Sequence, residues 1–188
     1  MSASYESLPP NLSVPEDDGA ADHLAGTVLP PLRLAVAGGG SFDLREAAAI
    51  GTLVAFVYPR TGTPGQPLVP GWDDIPGARG CTPQSCAFRE RHFALAGLGA
   101  RVVGISAMDP HAQAEFAERE ALPYPLLNDG PLKLRDELGL PTFDVCGTTL
   151  YRRLAFVARG GAIEKVFYPV FPPERNAAEV ETYLRDID

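Results

Sequence analysis

Apolar positions along this chain follow two rhythms. Short continuous runs of β-branched, aliphatic and aromatic residues predict buried strands at Leu32–Val36, Thr52–Tyr58, Arg101–Ala107, Pro125–Leu127, Leu154–Ala158 and Ile163–Tyr168. Between them the apolar spacing lengthens to three or four residues, which predicts helices. One follows Pro83, where Ala87, Phe88, Leu95 and Leu98 continue a helical stripe. A second spans Asp109–Ala121, with Asp109 as its cap and Pro110 at its first position. A third lies around Pro131–Leu138, where Leu134 and Leu138 share a face. The last is expected to be capped by Asn176, with Glu179 completing a capping box and Val180, Leu184 and Ile187 facing inward. Gly38-Gly39-Gly40 reads as a turn, and Gly160-Gly161 as the loop of a hairpin. From Thr52 onward the order is β-α-β-α-β-α-β-β-α, an α/β domain ending in an antiparallel hairpin. Residues 1–27, with Pro9, Pro10, Pro15 and the run Glu16-Asp17-Asp18, predict an extended arm or partly disordered leader lying over a single domain at 28–188.

Composition narrows the function classes. With 188 residues, 45% of them hydrophobic, one domain can bury a core without disulfide staples. A formal net charge of −8 argues against nucleic acid and anionic membrane surfaces as partners. No apolar run approaches the roughly 20 residues of a membrane span. The start Met1–Ser7 lacks the basic and apolar stretches of a secretory signal, so a cytoplasmic location is expected. In a reducing compartment, closely spaced cysteines are more often catalytic or metal-binding than structural.

Two of the three cysteines stand in Gly80-Cys81-Thr82-Pro83-Gln84-Ser85-Cys86, where a loop turns into a helix. Pro83 suits a first helical turn, because its missing N–H costs nothing there. Cys81 then sits at the positive end of a helix dipole, which favours thiolate. Cys86 lies about a turn inside. Five helical residues rise about 7.5 Å, more than the ~7 Å that a disulfide spans between Cα atoms. The pair can join only if the first turn unwinds, which suits cycling rather than stapling. The plainer readings are two inert thiols or half of a zinc site. Zinc needs about four ligands, and Cys146, His23, His92 and His111 form no second pair. Cys146 reads as a small core residue or an alternative resolving thiol, and His92 as a core histidine rather than a base.

The motif Tyr58-Pro59-Arg60-Thr61-Gly62-Thr63-Pro64-Gly65, followed by Gly80-Cys81-Thr82-Pro83-Gln84-Ser85-Cys86-Ala87-Phe88-Arg89-Glu90, resembles the peroxiredoxins, specifically the Q-type or bacterioferritin-comigratory group. The resemblance runs from about Leu29 to the end, and Tyr151–Phe156 is similar to the family's arginine strand. It implies a thioredoxin-like fold, with a central mixed sheet flanked by helices. It implies a peroxidase that reduces hydrogen peroxide and organic hydroperoxides and is recycled by a thioredoxin-like dithiol donor, without haem or metal, as a monomer or homodimer. The implied roles are Cys81 as the attacking (peroxidatic) thiolate, Cys86 as the resolving thiol, Arg153 as the cation that holds the thiolate and polarises the peroxide, Thr63 as a hydrogen-bonding hydroxyl, and Pro59 and Pro64 as residues that shield and shape the pocket. An ordinary thiol is only a few per cent ionised at neutral pH, so a cation beside the helix end is needed.

One departure stands out. In the family the cysteine directly follows Thr-Pro-Gly, whereas here residues 66–80 intervene, punctuated by Pro67, Pro70-Gly71, Pro76-Gly77 and Gly80. A compact loop with close ends would accommodate them. Trp72, the chain's one tryptophan, lies in this insert and is expected either to wall the pocket or to anchor the loop on the core. Two further functions stay open on the same fold. A thiol–disulfide oxidoreductase is disfavoured by four residues between the cysteines, where two are usual. A redox-sensing regulator would use the same disulfide with little turnover.

Overall fold

The computed structural model describes residues 8–9 and 11–187. Its elements are β1 (Arg33–Val36), β2 (Ser41–Asp43), α1 (Leu44–Ile50), β3 (Thr52–Val57), α2 (Cys81–Glu90), α3 (His92–Gly97), β4 (Ala100–Ser106), α4 (Pro110–Arg119), β5 (Leu126–Asn128), α5 (Lys133–Leu138), β6 (Thr142–Val145), β7 (Thr148–Tyr151), β8 (Leu154–Arg159), β9 (Ala162–Phe167) and α6 (Asn176–Ile187). Single 3₁₀ turns occupy Asp22–Leu24, Trp72–Asp74 and Pro173–Arg175.

Seven strands form one mixed sheet in the order β2-β1-β5-β4-β3-β8-β9. β3 runs parallel to β4, and β4 to β5, while β3 meets β8 and β8 meets β9 antiparallel. β3 shows why the core has two layers. Leu53, Ala55 and Val57 enter one apolar cluster, with α1, α5 and residues from the amino-terminal segment. Val54, Phe56 and the following Tyr58 enter the other, with Phe88 of α2, Phe116 of α4 and Ala177, Val180 and Leu184 of α6. This is the period-two alternation of a strand buried on both faces.

The amino-terminal segment is tied down. Ala21, Leu24 and Leu29 are buried in the first cluster. Gly26 N–H donates to Ile163 C=O, and Ile163 N–H to Thr27 C=O. Asp18 accepts from the Tyr168 hydroxyl at 2.8 Å, and His23 Nε2 meets the Leu138 carbonyl at 2.8 Å.

Several expectations change. β2, α1 and the β6–β7 hairpin were not apparent from the apolar pattern, because they are short and only partly buried on one side. Cys146 is exposed at the turn of that hairpin with φ +48°, not packed in the core. Arg91 breaks the cysteine helix into α2 and α3. Asn176 is already helical, with the 3₁₀ turn Pro173–Arg175 before it, so it cannot act as an N-cap. Its side chain is instead fully buried and bonded to Gln84. Ile187, the last residue of α6, is exposed.

Candidate active site

β3 delivers the chain to the carboxyl end of the sheet, where α/β folds form crevices. After Tyr58 the chain loops out through residues 60–80 and returns at Gly80, the N-cap of α2, with φ +99°. A Cβ at that position would lie 2.3 Å from Pro173 Cγ, so close approach as well as conformation selects glycine. Among the described residues no side chain caps the helix, and Pro83 has no N–H to offer. The amides of Cys81 and Thr82 therefore lack intrahelical acceptors. α2 is held by Phe88, which stacks on Phe56 with ring centroids 4.5 Å apart and planes 8° apart.

Cys81 is the first residue of α2 and only 4% exposed. Arg153 Nη2 approaches its sulfur at 3.2 Å. The sulfur also lies 3.7 Å from the Ala78 carbonyl, a long thiol contact. Arg153 occupies the two-residue link between β7 and β8 and is 4% exposed. Its Nε donates to Gly77 C=O at 3.2 Å, Nη2 to Ala78 C=O at 3.2 Å and Arg79 C=O at 3.0 Å, and Nη1 to Gln84 Oε1. A guanidinium suits this place because its planar fork serves several acceptors at once. Among the described residues none of those acceptors is a carboxylate. The positive charge is therefore free for a thiolate, or for the oxygens of a molecule beside it. Arg152, by contrast, turns away to the Thr142 carbonyl and to Asp18.

Gln84 is the hinge of this arrangement. Fully buried, it accepts from Arg153 and donates through Nε2 to Asn176 Oδ1 at 2.9 Å. Sequence reasoning missed it, although the signal was present. Cys81, Gln84, Ser85 and Phe88 fall on one helical face, so the glutamine had to be buried among apolar neighbours. It also missed the three carbonyls of Gly77, Ala78 and Arg79, because main-chain acceptors leave no mark on side-chain chemistry.

Cys86 lies inside α2 and half-buried. Its thiol points toward Glu120 Oε2 at 3.6 Å. Burial, with Glu120 adding to it and Arg89 opposing, pushes its pKa up to about 11, so it stays a protonated thiol at neutral pH. Both cysteines are free, and the helix holds them apart.

A cavity of about 260 Å³ opens beside Cys81. One wall comes from the loop Arg60–Thr63, and the other from the insert, including Leu68, Val69, Trp72 and Ala78. Thr63 stands exposed in the first wall and, among the described residues, makes no hydrogen bond to Cys81. Thr61 is buried in the same wall, its hydroxyl 3.7 Å from Met108 sulfur. Pro59 is buried at the root of the loop, its carbonyl accepting from Ser106 Oγ at 2.8 Å, and Pro64 is exposed. Neither proline forms part of the wall. Both expectations for Trp72 hold. It lines the cavity and is 5% exposed, packed against Phe143 of β6 and in a small cluster with Ala78 and Leu150. His92 is half-buried against Tyr124, with Nδ1 lacking a partner, so it is not the fully satisfied core residue expected. Among the described residues no group of three or more His, Cys, Asp or Glu is placed to hold a metal.

A buried cysteine at a helix start is thus faced by a buried arginine on a thioredoxin-like sheet. Comparison with known proteins supplies the family: the redoxin family model matches residues 24–184, and the chain belongs to the redoxin family, in its Q-type peroxiredoxin group. Chloroplastic peroxiredoxin Q of Gentiana triflora is 32% identical over 160 residues, covering 85% of this chain and 66% of the relative. That of Populus jackii is 34% identical over 135 residues, covering 72% and 56%. The chain thus spans a little over half to two thirds of the length of these relatives. Among solved structures, peroxidoxin BcpB from Mycobacterium tuberculosis has a TM-score of 0.69 and 26% identity, covering 87% of this chain and 97% of its own. Peroxiredoxin Q from Xanthomonas campestris has a TM-score of 0.68, covering 86% and 97%; at 22% identity it shows the shared fold.

Proposed function

We propose that this protein is a thiol peroxidase that reduces hydroperoxides with Cys81. The observation that carries the reading is the Arg153 guanidinium 3.2 Å from a buried sulfur at the start of α2, on the edge of an open cavity. The Cys81 thiolate attacks the outer oxygen of ROOH. The S–O bond forms as the O–O bond breaks, and the alkoxide leaves as ROH after taking a proton. Arg153 and the first amides of α2 face the charge that develops on those oxygens, a preorganised electrostatic contribution. Thr63 supplies a hydroxyl to the incoming peroxide from the opposite wall.

The sulfenic acid then condenses with the Cys86 thiol, releasing water and forming a disulfide. The raised pKa of Cys86 keeps that thiol protonated until the helix opens, so resolution requires local unwinding of α2. An external dithiol of the thioredoxin type returns the pair to two thiols and leaves as a disulfide. A reducing compartment such as the cytoplasm suits this cycle, and one chain contains both thiols.

Purified protein with thioredoxin, its reductase and NADPH tests the reading. Adding hydroperoxide should start NADPH consumption that is lost in Cys81→Ser. Equal consumption in wild type and variant would refute the role of Cys81. Insulin reduction without peroxide turnover would favour the oxidoreductase reading. If Cys86→Ser sustains full thioredoxin-dependent turnover, another thiol resolves the sulfenic acid.

A further inference from the structure

Cys86 is held by a contact from outside its own helix. Its thiol points at Oε2 of Glu120, the residue at the carboxyl end of α4, at 3.6 Å. Arg89, three residues on and on the same face of α2, donates through Nη1 to the Glu120 carbonyl and lies 3.7 Å from Oε2. Arg119 Nε donates to Oε1 at 3.3 Å. Tyr124, just beyond, donates its hydroxyl to the Ser85 carbonyl at 2.6 Å. The second turn of α2 is thus pinned to the segment that follows α4. A carboxylate at the carboxyl end of a helix opposes the helix dipole, so the charge of Glu120 does not serve α4. It serves two guanidinium groups and a thiol instead. Ion pairing makes a carboxylate a strong hydrogen-bond acceptor. Taking the thiol proton would cancel the charge that both arginines pair with, so the geometry favours holding the thiol over acting as its base.

Resting on the peroxidase reading above, with Cys86 as the resolving thiol, we infer that Glu120 is a positioning residue for the second step: it latches the resolving turn of α2 to the end of α4 and sets the rate at which Cys86 is released toward the Cys81 sulfenic acid. While Cys81 is reduced, the latch keeps α2 wound and the Arg153 contact assembled. After oxidation Cys86 leaves Glu120. Its sulfur bonds to the Cys81 sulfur as the S–O bond breaks, and its proton departs with the hydroxyl as water. Glu120 keeps its charge and its arginine partners throughout.

Two measurements on the full chain test the latch. The first treats reduced protein with one equivalent of hydrogen peroxide, without reductant. It follows sulfenic acid turning into disulfide by quenching and mass spectrometry, the two forms differing by one water. Glu120→Ala should speed that conversion about tenfold, the scale of one hydrogen bond to a charged group. Glu120→Gln, which keeps the size and an acceptor oxygen but loses the charge, should fall between. The second follows alkylation of Cys86 by iodoacetamide against pH in a Cys81→Ser background, read on the Cys86 peptide. Arg89 and Glu90 on its own helix, Glu120, and the Tyr124 hydroxyl are the titratable and charged groups that face this thiol. Burial and Glu120 hold its midpoint up, at about 11, so Glu120→Gln should lower the midpoint although packing is kept. A packing role alone would leave the Gln variant with the wild-type rate and midpoint, which overturns the inference. Slower disulfide formation in either variant also overturns it, because Glu120 would then assist proton removal. Should Glu120→Ala fail to fold, Glu120→Gln decides alone. If wild type forms no sulfenic acid, the peroxidase reading itself fails and takes this inference with it. If it forms one that Cys86 does not resolve, the peroxidase reading stands and this inference falls.

Discussion

Replacing Arg153 by lysine removes the fork that reaches Gly77, Ala78, Arg79, Gln84 and Cys81 together. A lysine has one ammonium and cannot serve those acceptors in one plane. Arg153→Lys should lower kcat/KM for hydroperoxide about a hundredfold, the scale of losing a preorganised donor. Chemical denaturation should show a loss of about 2 kcal/mol or more from the carbonyls left unpaired. Cys86 predicts a pH dependence of the reduced protein. Its folded pKa, about 11, lies above the ordinary thiol value of 9.0, chiefly through burial. Below pH 9 both states hold the proton and stability is insensitive to this group. Between about 9 and 11 the unfolded state releases it first, so stability falls as pH rises. Melting temperatures over that range should decline less steeply in Cys86→Ala, and a variant that declines equally would refute the assignment.

Among the elements, α2 concentrates the site's demands at its first turn. Gly80→Ala would place a Cβ 2.3 Å from Pro173 Cγ and 3.1 Å from Leu8, in a backbone with φ +99°. Strain and overlap together should cost about 2 kcal/mol or more, read by urea denaturation. Unwinding α2 to join Cys81 and Cys86 must break the Gln84–Arg153 and Tyr124–Ser85 hydrogen bonds while leaving β3 and β4 paired. Hydrogen exchange of the disulfide form should therefore show lost protection around residues 84–90 and retained protection in the sheet. Equal protection of α2 in both redox forms would contradict the unwinding step. The helix and the place of Cys81 at its start were legible from Pro83 and the apolar stripe, because both are local signals. The break at Arg91 was not, since the stripe runs through it in sequence.

In the molecule as a whole, the amino-terminal segment is more than an arm laid on a finished domain. Leu24 and Leu29 are fully buried, and the segment from Gly26 to Leu29 hydrogen-bonds to the edge beside β9. Leu24→Ala should destabilise the protein by about 2–5 kcal/mol, as other buried leucines do. A change below 1 kcal/mol by thermal or urea denaturation would show that the segment docks without supporting the core. Apart from the β6–β7 hairpin and the break between α2 and α3, the α/β order from Thr52, the hairpin at Gly160-Gly161 and the two cysteines on one helix followed from the sequence, because periodicity, turn chemistry and spacing act within a few residues. The partnership of Arg153 with Cys81 was implied by the family motif, but its geometry, the carbonyl cradle from the insert, the Gln84–Asn176 link and the cavity beside Cys81 were decided only by tertiary structure. Each joins groups that lie far apart in the chain, or main-chain atoms with no side-chain signature. Their meeting depends on how the β7–β8 link, the insert and the start of α6 fold back onto the first turn of α2.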